Sequence, residues 1–538
     1  MTCHNNPGLA VAVVKDGQVL LSKGYGVTDL DSQQPVTTDT QFQIASLTKA
    51  FTAALLATVL DEEPGYVTSY TTGVGDVIVH TQDKEVGGDG EEPGGGSAKV
   101  DFAFNNSLRT IYATLEDLLA HRTGIPRNNY IRLATDHNRQ NLPPRLKYLP
   151  NAGGFRDSFY YSDLMYALAA YVTQLLGNKP WEDLMREKVL TPLGMSRTTF
   201  ISDVDFSRSD VATAYVLEHG HLEKASIDFI RHWGSNVGSG NIFSTANDMT
   251  QWMRMLLNGG KDTSGSRVLD QSVLDAVFKP SNALPPPSYA ADYRRPTIPE
   301  TFSSDTYGLG WRLGYYKGYK MAYHSGSTWG YRAFLTLLPD MNVGTFSVMT
   351  GSDVNYRFRT ALHTYLADLA LGDTPFINSS TICTFPDPWK SDSTHRQRRA
   401  ANTVQAETSA VSDEEWEYDV TWRERRSAGA VRSARAASIP LSNHEGVFRH
   451  GAYGDLRVLV NASCGCLEIV YGIGQWRLEH KTGLTYEGRW VKGPPTINKD
   501  FAFLANGQEV YGVEALEFET SKVPVFYRQA TRDQGLIG

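Results

Sequence analysis

Ser46 and Lys49 stand three residues apart in the run Phe42-Gln43-Ile44-Ala45-Ser46-Leu47-Thr48-Lys49, which opens a long apolar stretch. Leu47, Phe51, Leu55 and Val59 follow at four-residue spacing, which predicts a strained approach and then a helix to about Leu60 with one buried apolar face. On such a helix positions i and i+3 lie on one side, so the hydroxyl and the amine are neighbours. A hydroxyl at a helix N-terminus sits among free backbone N–H groups in a partial positive field. An amine one turn along can lose its proton on desolvation and then take the proton of that hydroxyl. The chemistry is that of a serine nucleophile with a lysine partner. A serine N-cap followed by an exposed lysine gives the same tetrad with no chemistry, so other motifs must decide.

The elements that must position this pair read as an α/β arrangement. Residues 9–14 and 18–23 form a hairpin about Asp16-Gly17. Thr114 caps a short helix that ends in the loop His121-Arg122-Thr123-Gly124-Ile125-Pro126, and further helices are predicted over 161–176, 181–190, 246–257 and 356–371. Strands return at 307–311, 321–326, 331–338 and 345–349. Strands at both ends with helices between predict an antiparallel sheet flanked by helices. Residues 83–99 are glycine-rich and acidic, which marks a flexible insertion and argues against a phosphate cradle. Prolines thicken from 280 to 299, as in a surface excursion.

Two more triplets stand in order behind the first: Tyr161-Ser162-Asp163 and His324-Ser325-Gly326. With Pro7-Gly8-Leu9-Ala10-Val11, Gly24-Tyr25-Gly26-Val27, Leu118-Leu119-Ala120-His121-Arg122-Thr123-Gly124, Phe243-Ser244-Thr245-Ala246 and the run 307–311, they resemble the serine β-lactamase and penicillin-binding-protein superfamily, in its class C-like branch. The resemblance covers residues 7–371. It implies a β-lactamase/transpeptidase-like fold and a serine hydrolase in which Ser46 is acylated by an ester, amide or peptide. Lys49 and Tyr161 would share the work of deprotonating it. A free phenol titrates near pH 10, so Tyr161 can act as a base only beside cations, of which Lys49 is one. As a lone residue it reads rather as a packed aromatic whose hydroxyl finds a partner; the triplet reverses that reading.

By the same resemblance, His324, Ser325 and Gly326 line the opposite wall, and the backbone N–H groups of Ser46 and Ser327 form an oxyanion hole. Gly326 would let an acyl group approach the strand. His324 as the base of a Ser-His-Asp triad is the alternative, without a G-x-S-x-G elbow to support it. Asp163 stands where relatives commonly have Asn, and His324 where many have Lys. Both changes point away from β-lactams and towards a neutral acyl group. No metal or cofactor is implied.

Residues 373–440 are polar and dotted with arginine, but Asp413-Glu414-Glu415 interrupts them; they read as a solvated linker rather than an anion-binding arm. Residues 441–538 alternate in short runs and resemble a lipocalin-like all-β barrel. The expected division is therefore 1–372, 373–440 and 441–538. A net charge of -8 argues against nucleic acid as a partner, and no run is long and apolar enough for a membrane span. The partner expected is a small-molecule or peptide substrate, with the oligomeric state left open. The start carries no leader pattern, so as written the chain reads as cytoplasmic, and as secreted if residues precede it; a helix that relatives carry before the first strand is also missing. Cys3, Cys383, Cys464 and Cys466 are too scattered to predict a disulfide framework, and the last two lack the second pair of a zinc site. A catalytically inactive scaffold or matrix protein, or a binding module centred on the barrel, are the rival functions.

Overall fold

A computed structural model describes residues 1–62, 70–86, 101–218, 220–285, 299–353, 356–389, 439–492 and 498–530. Strands β1 (Gly8–Lys15) and β2 (Gln18–Gly26) turn about Asp16 and Gly17, at φ 49° and 73°. Both angles are left-handed, as a type I′ turn requires. Strands β3 (Asn282–Ala283), β4 (Thr306–Tyr307), β5 (Arg312–Tyr316), β6 (Tyr319–Thr328), β7 (Tyr331–Leu338) and β8 (Val343–Thr350) complete an eight-stranded antiparallel sheet in the order β2-β1-β8-β7-β6-β5-β4-β3.

The pleat explains why β1 is apolar at nearly every position: Leu9, Val11 and Val13 enter the core on one face, Ala10, Ala12 and Val14 the core on the other. Helices cover both faces. α1 (Thr48–Glu62), α2 (Leu115–Leu119), α3 (Asp163–Gly177) and α4 (Ala246–Leu257) belong to the larger side, and α5 (Arg357–Leu371) packs against β7 and β8 on the other. α2 carries the predicted Thr114 cap, closed into a capping box by Asp117.

Four expectations change. α1 is buried on every side rather than on one face, because α3 packs on it and Trp252 of α4 stacks on Phe51 at 3.9 Å between ring centres. α3 starts at Asp163, not Tyr161: Ser162 is extended at φ −141°, and Phe159 and Tyr161 are drawn into an apolar cluster with Leu284 and Tyr307. The segment 181–190 is an α-turn at Trp181–Met185 that widens into a π-helix over Arg186–Leu190. The cysteines pair, Cys3 with Cys383 and Cys464 with Cys466. Cys3 and Cys383 are 380 residues apart but lie with Cα atoms 5.8 Å apart, a proximity that linear spacing cannot reveal.

Of the expected insertion, residues 83–86 are the end of the helix Val74–Val86, and 87–99 lie outside the described residues. So do 286–298 of the proline-rich stretch and 390–438 of the arginine-dotted one, whereas Phe376, Ile377, Ile382, Phe385 and Trp389 pack with α5.

The C-terminal part is a closed antiparallel barrel of β9 (Gly446–His450), β10 (Gly454–Asn461), β11 (Cys466–Tyr471), β12 (Gly474–Thr482), β13 (Thr485–Lys492), β14 (Lys499–Asn506), β15 (Glu509–Ala515) and β16 (Val525–Arg528). Closure removes the free edges an open sheet would leave. Its core is continuous with that of the first domain, through Phe518 stacked on Tyr130 at 5.1 Å. Among the described residues no helix is long and apolar enough to cross a membrane.

Candidate active site

Ser46 lies in a 3-10 turn, Ala45–Leu47, that runs directly into α1. Ala45 is held at φ 46°, a costly angle for a residue with a Cβ and one that clusters at functional sites. Lys49 is fully buried and Ser46 is 5% exposed. Lys49 Nζ donates to Ser46 Oγ at 2.9 Å, to Asp163 Oδ1 at 2.6 Å and to the Ser239 carbonyl at 3.0 Å. It also lies 4.6 Å from the centre of the Tyr161 ring and 5.4 Å from that of Tyr166. Ser46, Lys49, Tyr161 and Asp163 are therefore brought together, although α1 and α3 are more than a hundred residues apart.

Asp163 sits in the first turn of α3, where the helix dipole favours a carboxylate. Burial alone would raise its pKa; Lys49, Arg132 and Arg127 outweigh that and hold it well below the usual carboxylate range. Arg132 makes an ion pair with Asp163 Oδ2. It comes from a 3-10 turn, Asn129–Leu133, that carries no motif.

The His324 triplet behaves differently from its neighbours. His324 Nδ1 is 2.6 Å from the Ser325 carbonyl, which can only accept, so Nδ1 carries the hydrogen. Nε2 then accepts from the Tyr307 hydroxyl at 2.9 Å. Burial, with Lys49 and Arg312 nearby, pushes its pKa well down, so the ring is neutral. It is 1% exposed, and Ser325 is 5% exposed. Gly326 faces the protein: a Cβ there would lie 2.2 Å from the Ile44 carbonyl, two residues before Ser46. Ser327 is the half-buried member, its Oγ 3.2 Å from both terminal nitrogens of Arg359.

The sequence reading missed Arg132, Arg127, Arg312 and the role of His121. Arg127 lies 5.2 Å from the centre of the Tyr161 ring, and Arg312 6.0 Å from that of Phe159. His121 is buried, accepts from the Ser162 N–H at 3.1 Å and lies 4.4 Å from the Tyr161 ring centre, which ties the loop after α2 to the start of α3. Only His121 left a signal, inside a block already noted for its resemblance.

A Ser-x-x-Lys helix lying beneath an antiparallel sheet, with a tyrosine over the lysine, defines a penicillin-binding-protein-like serine hydrolase fold. The chain belongs to the beta-lactamase family, whose model, described as Beta-lactamase, matches residues 1–370. Gigasin-6 of Magallana gigas is 31% identical over 279 residues, covering 51% of this chain and 85% of that protein. The unguisins hydrolase ungD′ of Aspergillus campestris is 27% identical over 383 residues, covering 69% of this chain and 63% of its own length. The octameric penicillin-binding protein homologue from Pyrococcus abyssi is similar in fold, with TM-score 0.53 at 18% identity over 97% of this chain and 96% of that one. That likeness spans both the sheet domain and the barrel.

Proposed function

We propose that this protein is a serine hydrolase that forms an acyl-enzyme on Ser46 from an ester, amide or peptide carbonyl. The observation that carries the reading is the 2.9 Å hydrogen bond between Lys49 Nζ and Ser46 Oγ, made by a lysine with no exposed surface. In the resting geometry Lys49 is an ammonium donating to the hydroxyl. Lys49 and Arg127 lie 4.6 Å and 5.2 Å from the centre of the Tyr161 ring, two cations that favour its phenolate, so Tyr161 takes the Ser46 proton and returns it to the leaving group. The N–H groups of Ser46 and Ser327 hold the developing oxyanion, a contribution of roughly 3–4 kcal/mol per donor. Water then attacks the acyl group along the reverse path. His324 stays neutral and supports Tyr307, and the substrate's acyl side lies along the Ser327 end of β6. The hydrolase named among the relatives agrees with this reading.

A fluorophosphonate probe should label the wild type at Ser46 and spare Ser46→Ala, read by intact mass. Equal labelling of the two proteins would remove the proposal. The rival is an inactive scaffold. It draws on the same ammonium, which already meets three acceptors, and it predicts a folded protein that no activated acyl reagent labels.

A further inference from the structure

We propose that Arg132 is a positioning residue for this hydrolase, sharing the Asp163 carboxylate with Lys49, and that the barrel holds it in place. The inference rests on the acyl-enzyme reading above. Asp163 offers one oxygen to Lys49 and the other to Arg132. A carboxylate shared between two cations binds each proton on Lys49 less tightly than one facing Lys49 alone. The permanently charged guanidinium thus keeps the base form of the Lys49–Tyr161 pair within reach.

The turn that carries Arg132 packs on the helix Ile227–Trp233 and is also fastened from the barrel. Asn128, at φ 47° and 1% exposed, gives its N–H to Glu519 at 2.9 Å, and its side-chain oxygen accepts from the Tyr453 hydroxyl at 2.9 Å. At the other end of the turn the Leu133 carbonyl accepts from the Ile473 N–H at 3.0 Å. Between them Tyr130 lies under Phe518 and under the Lys499 ammonium, 4.5 Å from its ring centre. Asn128 and Ser162 both donate to the Pro126 carbonyl, which links the clamp to the residue beside Tyr161.

The other titratable neighbours do not supply this effect. His121 after α2 and His324 on β6 are buried, with pKa values pushed well down by burial and by Lys49. Tyr166 on α3 is pushed well up by burial. Behind Arg132, burial lowers His137 to about 4 and lowers His232 of the helix Ile227–Trp233. Arg127 and Arg312 keep their charge throughout, and Tyr307 is bound to His324.

The test is the pH dependence of the second-order rate of fluorophosphonate labelling of the full chain. Arg132→Met should move the acid limb to higher pH by about one unit and lower the rate at pH 7 about tenfold. Arg132→Lys should restore the limb. Asp163→Asn added to Arg132→Met should move it back, since the carboxylate that tightens Lys49 is gone. Tyr453→Phe should shift the limb in the same direction by less, and not at all when Arg132 is already Met. An unmoved limb in Arg132→Met, with labelling still dependent on Ser46, overturns the inference and leaves the hydrolase reading standing. If Arg132→Met does not fold, as judged by thermal unfolding, Tyr453→Phe decides by itself. A lower rate at every pH with no shift means a purely structural contact and also overturns it. Labelling that ignores Ser46→Ala sinks the underlying reading instead.

Discussion

Gly326 on β6 is packed on the Ile44 carbonyl, so closely that a methyl group would lie 2.2 Å from that oxygen. The strand therefore sets the position of the segment that presents Ser46, and the glycine serves the protein's own backbone. Gly326→Ala should cost about 2–3 kcal/mol in chemical denaturation, the upper range for overpacking a core. It should also slow labelling of Ser46 in the protein that remains folded, because Ile44 and Ala45 must move.

Tyr161→Phe removes one oxygen from a ring that keeps its packing against His121 and Phe159. Hydrolysis of an activated ester should fall by about two to four decades if the phenol moves the proton. The thermal midpoint should change little. A rate within a few-fold of wild type would reassign the base to Lys49.

Asp353 and Arg359 form an ion pair with neither side chain exposed, and Arg359 also donates to the carbonyls of Gly326 and Ala333. Asp353→Ala strips the carboxylate from a buried guanidinium, a loss of about 3–5 kcal/mol. Urea denaturation at neutral pH measures it. Arg359→Met with Asp353→Ala should recover part of the stability, because the stranded charge is then gone.

His363 lies inside the first domain, its two ring nitrogens within 3.0 Å of the hydroxyls of Thr336, Thr345 and Ser347. Burial, and Arg359 nearby, lower its pKa from the ordinary 6.5 to about 3. A depressed value means that the unfolded chain takes up the proton first as the pH falls. The stabilisation is complete above about pH 6.5 and is lost towards pH 3, at about 1.4 kcal/mol per pH unit. His363→Asn should flatten the dependence of unfolding free energy on pH by about one proton between pH 4 and 6.

Local signals carried far in the sequence. The Asp16-Gly17 turn, the Thr114 cap, α4 and the strand pair about Pro339 each follow from chemistry within a few residues. What escaped was made by distance. Tyr161 reads as helical because apolar residues continue through it, yet the aromatic cluster with Tyr307 and Leu284 pulls it into an extended form. Arg132 has no motif because its meaning depends on Asp163, on another element, and on a barrel that begins some three hundred residues later. Cys3 finds Cys383 only when the sheet is complete.

β1 lies between β2 and β8, and its register runs Leu9 opposite Met349 to Lys15 opposite Val343. At ribosomal rates of about 5–20 residues per second, roughly 15–65 s pass between synthesis of the first of these strands and arrival of the second. For that time the nascent hairpin bares the backbone donors and acceptors along the β8-facing edge of Gly8–Lys15, an almost wholly aliphatic strand open to any other unpaired strand. A chaperone that shields emerging hydrophobic segments, or slowed growth in the cold, should raise the recovery of soluble protein more than any change made at Ser46.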